Sequence, residues 1–185
     1  MIAGGDLRPG VKIELEGTPY IVTDYHWVKP GKGGAFMRTK LKNMKTGATI
    51  DRTFRTDEKI LRAEVEERKA QFLYRAEDSY HFMDMESFDQ FPLGEQKLGS
   101  PSGFLKEGLV ISILFHRGEP LGVVLPTFVD LKVAETEPGV RGDTASGGSK
   151  PATLEAGATL QVPLFINIGD LVRVDTRSGA YVERA

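Results

Sequence analysis

The sequence predicts an all-β protein made of three small barrels, and three observations carry that prediction. Short runs of alternating apolar and polar residues recur along the whole 185-residue chain, the period-two signature of half-buried strands. Turn residues, drawn from 21 glycines and 10 prolines, punctuate these runs, as expected of small barrels. The pattern also restarts twice, after the charged stretch 56–67 and after Pro126. The predicted divisions are residues 1–64, 65–127 and 128–185. Units of about sixty residues bury only ~60 % of their unfolded surface, so at least one substantial contact between them is expected.

In the first unit Val11-Lys12-Ile13-Glu14-Leu15 alternates, Glu16-Gly17-Thr18-Pro19 reads as a turn, and Tyr20-Ile21-Val22 resumes. Further on, Met37, Thr39 and Leu41 share one face while Arg38, Lys40 and Lys42 share the other. Lys45-Thr46-Gly47 turns the chain, and Ala48 to Arg55 returns. About five strands in some sixty residues point to an SH3-like barrel. The second unit offers Gln71 to Tyr74 and Tyr80 to Asp84, then a short helix somewhere in Leu93 to Lys106. Leu109 to Phe115 and Leu121 to Leu125 pair across His116-Arg117-Gly118-Glu119-Pro120, giving a barrel of OB type. Strands of the third unit are expected at Phe128 to Val133, Thr159 to Ile166, Leu171 to Val174 and Tyr181-Val182.

Composition narrows the function. The longest apolar stretch, Leu109 to Phe115, is seven residues, against the ~20 that span a bilayer. The N-terminus shows no basic n-region followed by an apolar h-region. With no cysteine there is no disulfide framework, thiol nucleophile or cysteine-based metal site. A soluble, cytoplasmic chain without membrane attachment is expected. The net charge of −2 resolves into +4 over residues 1–64, −4 over 65–128 and −2 over 129–185. A basic first third on an acidic remainder suggests a protein that meets phosphate at one end while the rest approaches RNA only at selected points.

The most informative segment is Val28-Lys29-Pro30-Gly31-Lys32-Gly33-Gly34-Ala35-Phe36. It sets Lys32 between glycines at the tip of a short loop, with strand-like sequence on both sides. Gly31, Gly33 and Gly34 permit positive φ and close approach to another surface. Pro30 stiffens the path and biases Lys29 toward extended backbone. Such a loop projects at most about 10 Å. It is not a phosphate-cradling P-loop, because Gly33 stands where Ser or Thr would bind the metal. On these residues alone Lys32 is either a solvated turn lysine or a cationic probe.

Enzyme signatures are missing. His26, His81 and His116 are scattered with no metal-ligand spacing, and Gly99-Ser100-Pro101-Ser102-Gly103 is not a nucleophile elbow. No enzyme, metal site or cofactor is expected. A second polar stretch, Val140 to Leu154, reads as a binding loop rather than a spacer, since backbone amides of a Gly/Ser/Thr segment can bond phosphates and base edges. Its candidate contacts are Arg141, Gly142, Asp143, Thr144, Gly147, Gly148, Lys150, Pro151 and Ala152.

Together these segments resemble the bacterial elongation factor P family. The run Lys150-Pro151-Ala152, Gly157, Leu160, Val162-Pro163, Ile166 and Gly169 is similar to its C-terminal signature. So are Arg141 to Thr144, Val174 to Val182, Asp6 to Gly10 and Lys29 to Gly33. The resemblance covers essentially the whole chain. It implies a KOW-like first barrel, two OB barrels and a tRNA-like L. It also implies a monomeric, non-enzymatic factor that binds both subunits of the ribosome between the peptidyl-tRNA and exit sites. On this resemblance the 29–34 loop reaches the acceptor end of peptidyl-tRNA and promotes bond formation at consecutive prolines, and Lys32 is the position that a modifying enzyme extends. The Arg141–Ala152 segment would face the small subunit, and Tyr181 and Arg184 would touch the tRNA stem. The alternatives are an elongation factor P-like paralogue and a single-stranded nucleic-acid-binding OB protein.

Overall fold

The computed structural model describes residues 1–139 and 148–185. The chain forms two compact units, Met1–Glu67 with Leu114–Gly122, and Arg68–Ile113 with Val123–Ala185. Nearly all regular structure is strand, in three sheets.

The first sheet contains β1 (Ile2–Ala3), β2 (Lys12–Leu15), β3 (Thr18–Val28), β4 (Phe36–Asn43), β5 (Thr49–Arg55) and β6 (Lys59–Arg62), ordered β1-β6-β2-β3-β4-β5. Every neighbouring pair is antiparallel. Alternation along β4 buries Met37, Thr39 and Leu41 and exposes Arg38, Lys40 and Lys42, as the sequence predicts. Leu7, Ile13, Val22, Leu41, Phe54 and Ile60 fill the interior. The predicted turn shortens to Glu16-Gly17, both at positive φ (51° and 78°), because two such residues match the twist of a tight hairpin. Pro19 therefore lies inside β3. The charged stretch 56–67 is not a linker. Its Lys59–Arg62 pairs with β1 and β2, and its last residues open β7.

The barrel closes at Gly4. Its N–H bonds Glu58 O at 2.8 Å and that of Gly5 bonds Thr56 O at 3.0 Å. A Cβ on Gly4 would lie 2.1 Å from Arg55 O, so only glycine lets the 3-10 turn Gly4–Asp6 lie against β5.

The second sheet contains β7 (Val65–Ala76), β8 (Ser79–Asp84), β9 (Gln90–Gly94), β10 (Val110–His116) and β11 (Glu119–Val124), in the order β11-β10-β7-β8-β9. Phe82, fully buried, packs against Phe72 with ring centroids 5.5 Å apart. The expected helix is one turn, α1 (Glu95–Leu98), followed by the 3-10 turn Ser100–Phe104. Leu93 before it lies in the unpredicted edge strand β9.

The tip of the β10–β11 hairpin, Arg117-Gly118, takes φ of 51° and 79° and belongs to the first unit. There His116 Nε2 lies 3.0 Å from Glu14 Oε1, and the Arg117 guanidinium donates to Glu14 at 2.9 Å. Glu14 and His116 are both buried. A buried carboxylate persists only when its lone pairs are occupied, and these two residues occupy them.

The third sheet is β14-β13-β12-β15-β16, with β12 (Phe128–Thr136), β13 (Ser149–Leu154), β14 (Thr159–Pro163), β15 (Leu171–Asp175) and β16 (Ala180–Arg184). Its outer strands β14 and β16 lie against each other, closing a barrel around Leu131, Leu154, Val162, Ile166, Val172 and Val174. Phe104 packs against this core, and Lys106 Nζ donates to Asp130 O at 2.9 Å.

Gly4→Ala should cost about 1–3 kcal/mol through overpacking, because the neighbour it meets is backbone. Gly31→Ala, which meets no heavy atom within 4 Å, should stay within about 0.5 kcal/mol of wild type. Denaturant titration of both variants measures the contrast.

Candidate nucleic-acid interface

The Lys32 loop is carried by the longest ladder in the first barrel. Eight cross-strand pairs run from Tyr20↔Asn43 to Val28↔Phe36. A bulge at Thr23 breaks the register once, and the Thr23 hydroxyl donates to Lys40 O at 3.2 Å. Residues 29–35 form the loop, one residue longer than expected. Its return leg is tied down at Ala35, whose carbonyl accepts from the N–H and hydroxyl of Thr56 at 3.3 and 3.2 Å.

Within the loop Lys29, Gly31, Lys32, Gly33 and Gly34 are exposed, and Pro30 is half-buried. Only one glycine there has positive φ, Gly33 at 116°. Gly31 and Gly34 have open space where a Cβ would go, so they serve slimness rather than a special backbone angle. Lys32 makes no hydrogen bond or ion pair with any described residue. Its ammonium stands in solvent, the one geometry in which it can bind something else.

The basic row on β4 is more mixed than its sequence. Register sets Lys40 between Asp24 and Asp51, whereas Arg38 lies between His26 and Thr53. Trp27, which the sequence reading passed over, is 58 % exposed immediately before the loop.

The second predicted site is corrected in part. Lys150, Pro151 and Ala152 are not loop residues: they lie in β13, paired with Val162, Gln161 and Leu160 of β14. Lys150 and Ala152 face the core, at 6 % and 2 % exposure, and Lys150 Nζ donates to the carbonyl of Glu137. The lysine satisfies a backbone acceptor instead of meeting a ligand. Proline hid this strand, since it forfeits a ladder donor. Pro151 escapes the penalty on one side, because pairing with β12 ends at Thr136↔Ala152. Arg141, Gly142, Asp143, Thr144 and Gly147 lie outside the described residues.

Gly148 remains accessible, in a cleft of about 510 Å³ lined by Ser149, Gln161, Pro163, Ser178 and Tyr181. Tyr181 packs partly on the third core. Arg184 is exposed, its guanidinium 5.8 Å from the centroid of the Phe165 ring. β16, which carries both, is held by charge: Arg173 donates to Asp130 of β12 at 2.9 Å and to Glu183 of β16 at 3.0 Å. The hydrogen bond from Arg173 holds the Asp130 carboxyl below its ordinary range. In the turn entering β16, the Arg177 side chain and N–H both donate to Asp175. They lower its pKa from 3.8 to about 2, with the side-chain bond the larger cause. Among the described residues no three His, Cys, Asp or Glu gather where they could hold a metal.

A closed SH3-like barrel with a bare cation on its longest hairpin, followed by two further five-stranded sheets, defines a class of multi-barrel β protein. Comparison with known proteins agrees. Residues 4–60 match "Elongation factor P (EF-P) KOW-like domain", 65–123 match "Elongation factor P (EF-P) OB domain", and 129–184 match "Elongation factor P, C-terminal". The chain is 55 % identical over 184 residues to elongation factor P of Natranaerobius thermophilus, covering 100 % of this chain and 98 % of that one. It is 53 % identical to that of Caldanaerobacter subterraneus, covering both completely. Among solved structures, eukaryotic translation initiation factor 5A from Methanococcus jannaschii shares the fold, with TM-score 0.57, 22 % identity and coverage of 67 % of this chain and 93 % of that one. The chain belongs to the elongation factor P family, whose members are translation elongation factors.

Asp175 has a folded-state pKa below its unfolded one, so its stabilising contribution is complete above about pH 4 and is lost as pH falls toward 2. Arg177→Ala should shrink that acid-sensitive component, since the backbone N–H of residue 177 still donates, while leaving the neutral-pH fold intact. Unfolding midpoints of wild type and variant between pH 2 and 5 should converge at the acid end.

Proposed function

We propose that this chain binds the ribosome between the peptidyl-tRNA and exit sites and promotes peptide-bond formation at stalling sequences such as consecutive prolines. It does so by holding the acceptor end of the peptidyl-tRNA. The observation that carries this is Lys32, an unpaired and exposed ammonium on a loop mounted on an eight-pair ladder. The contact set proposed for the acceptor end is Lys29, Pro30, Gly31, Lys32, Gly33 and Gly34. Proline reacts slowly because its ring restricts the chain and its nitrogen is a secondary amine. A factor accelerates such a step without chemistry of its own by aligning the reacting groups. A cation lying along the terminal phosphates does this where a globular body would not fit.

Contact with the small subunit falls to Arg141, Gly142, Asp143, Thr144, Gly147 and Gly148, and contact with the tRNA stem to Tyr181 and Arg184. Lys150, Pro151 and Ala152 lie in β13 and are left out of that contact set. Lys32 is also the residue a modifying enzyme would extend, and its exposure is what such an enzyme requires. The acidic central segment keeps indiscriminate phosphate binding low.

The test is synthesis through a Pro-Pro-Pro stretch in a reconstituted translation system lacking the factor. Wild type should restore it, and Lys32→Ala should lower the rate roughly 10- to 100-fold, the range for loss of one charge-assisted contact. Equal rates for the two proteins would refute the assignment.

A further inference from the structure

Trp27 is the chain's single tryptophan. Its ladder position is opposite Met37, which in turn faces Phe54. Met37 and Phe54 are each 1 % exposed, so this row points into the barrel. Trp27 shares the row yet stays 58 % exposed, because it stands at the rim, one residue before β3 ends. Its indole makes no ring contact, cation–π contact or hydrogen bond with any described residue.

No ring, cation or hydrogen-bond partner among the described residues therefore accounts for an indole at this position. Isolated exposed apolar residues are common, but this one has particular surroundings. Lys29 and Lys32 follow it by two and five positions, both exposed, and Arg38 lies across the ladder from its neighbour His26. A flat π face at the root of a cationic loop is the pairing found where single-stranded nucleic acid binds. Cations there take the phosphates while the ring stacks a base without reading its identity.

We infer that Trp27 is a positioning residue that stacks an unpaired nucleobase of the RNA end whose phosphates Lys32 contacts. This rests on the function proposed above and adds a second point of attachment. One cation fixes a phosphate in distance only, because it has no preferred direction. A stacked ring also fixes the plane of the adjoining base, and so the orientation of the strand end. The occupant is an unpaired RNA end, because an unpaired base can splay out and lay its face on a ring beside the strand's own phosphates, and because the cations flank the ring on the loop side.

The experiment compares wild type, Trp27→Phe, Trp27→Leu, Trp27→Ala and Lys32→Ala in the Pro-Pro-Pro assay, each titrated to saturation. Thermal unfolding of each variant accompanies the rates. At saturating factor Trp27→Phe should retain at least half the wild-type rate. Trp27→Leu and Trp27→Ala should lose roughly tenfold, the scale of one base–aromatic stack. Leu keeps apolar bulk without a π face, so its contrast with Phe separates stacking from mere cover of the rim. Leu matching Phe, or a full rate for Ala at saturation, would overturn the inference. If Lys32→Ala alone is impaired, the function stands and the stacking role fails. If no variant differs from an active wild type, the roles of both Lys32 and Trp27 fail, and if wild type itself does not restore synthesis, the function fails.

Discussion

An ammonium group can be held away from a protein's body only if the backbone beneath it is over-determined. Here that support is the β3–β4 ladder, whose eight pairs end at Val28↔Phe36. Each residue ordered in a loop costs about 1–2 kcal/mol of backbone entropy, so a seven-residue projection would be a tether without anchors at both ends. The outgoing leg is stiffened by Pro30, and the returning leg is held by Thr56 at the Ala35 carbonyl. Thr56 is placed in turn by the Gly4–Gly5 closure, since it accepts the Gly5 N–H. A chain of contacts thus runs from a glycine in the first turn of the protein to the base of the loop. A methyl group on Gly4, which would press on Arg55 just before Thr56, disturbs the scaffold that aims Lys32.

Elsewhere several described charges are consumed internally. Glu14 engages His116 and Arg117, Lys150 engages the Glu137 carbonyl, and Arg173 joins Asp130 to Glu183. The buried members must be paired because removing water from an isolated charge is prohibitive, and the exposed ones stitch strands together at modest gain. Lys32 shares the lack of a side-chain partner with strand lysines such as Lys42 and Lys59, and what sets it apart is its place in a loop between two strands. The loop offers no acid to Lys32, and its glycines supply no side chain under which it could fold. Its freedom is a property of composition as much as of position.

How far the sequence reveals this arrangement depends on which physical rule governs each segment. Strands with one buried face announce themselves by alternation, so β4 and the faces of Met37 and Arg38 are legible before any coordinates. Loop residues 29–34 are legible for the same reason, being the interval where alternation stops and glycine begins. β13 is illegible because two local rules argue against it: Pro151 lacks a donor, and Lys150 is a charged residue at an inward position. Both objections are met only by tertiary structure, through the end of β12 pairing at Ala152 and the carbonyl of Glu137. β6 is hidden likewise, its charged residues resembling a linker until β1 and β2 are seen beside it. The rim position of Trp27 has no local signature, because alternation assigns it inward and only the end of the barrel leaves it exposed.

One cation on a surface contributes little to affinity, since water screens it and a long side chain loses rotamer freedom on binding. The same cation on an aimed support acts differently, because the entropy of placing it has been spent in folding and not at the moment of contact. The charge distribution favours that use. With +4 over the first 64 residues and −4 over the next 64, the segment that carries the loop attracts a polyanion and the segment after it does not. A uniformly basic surface would bind RNA more tightly but at any orientation. On the proposed reading, weak attraction overall and rigid presentation locally are one requirement, because alignment is useful only when the aligned contact is the one that forms.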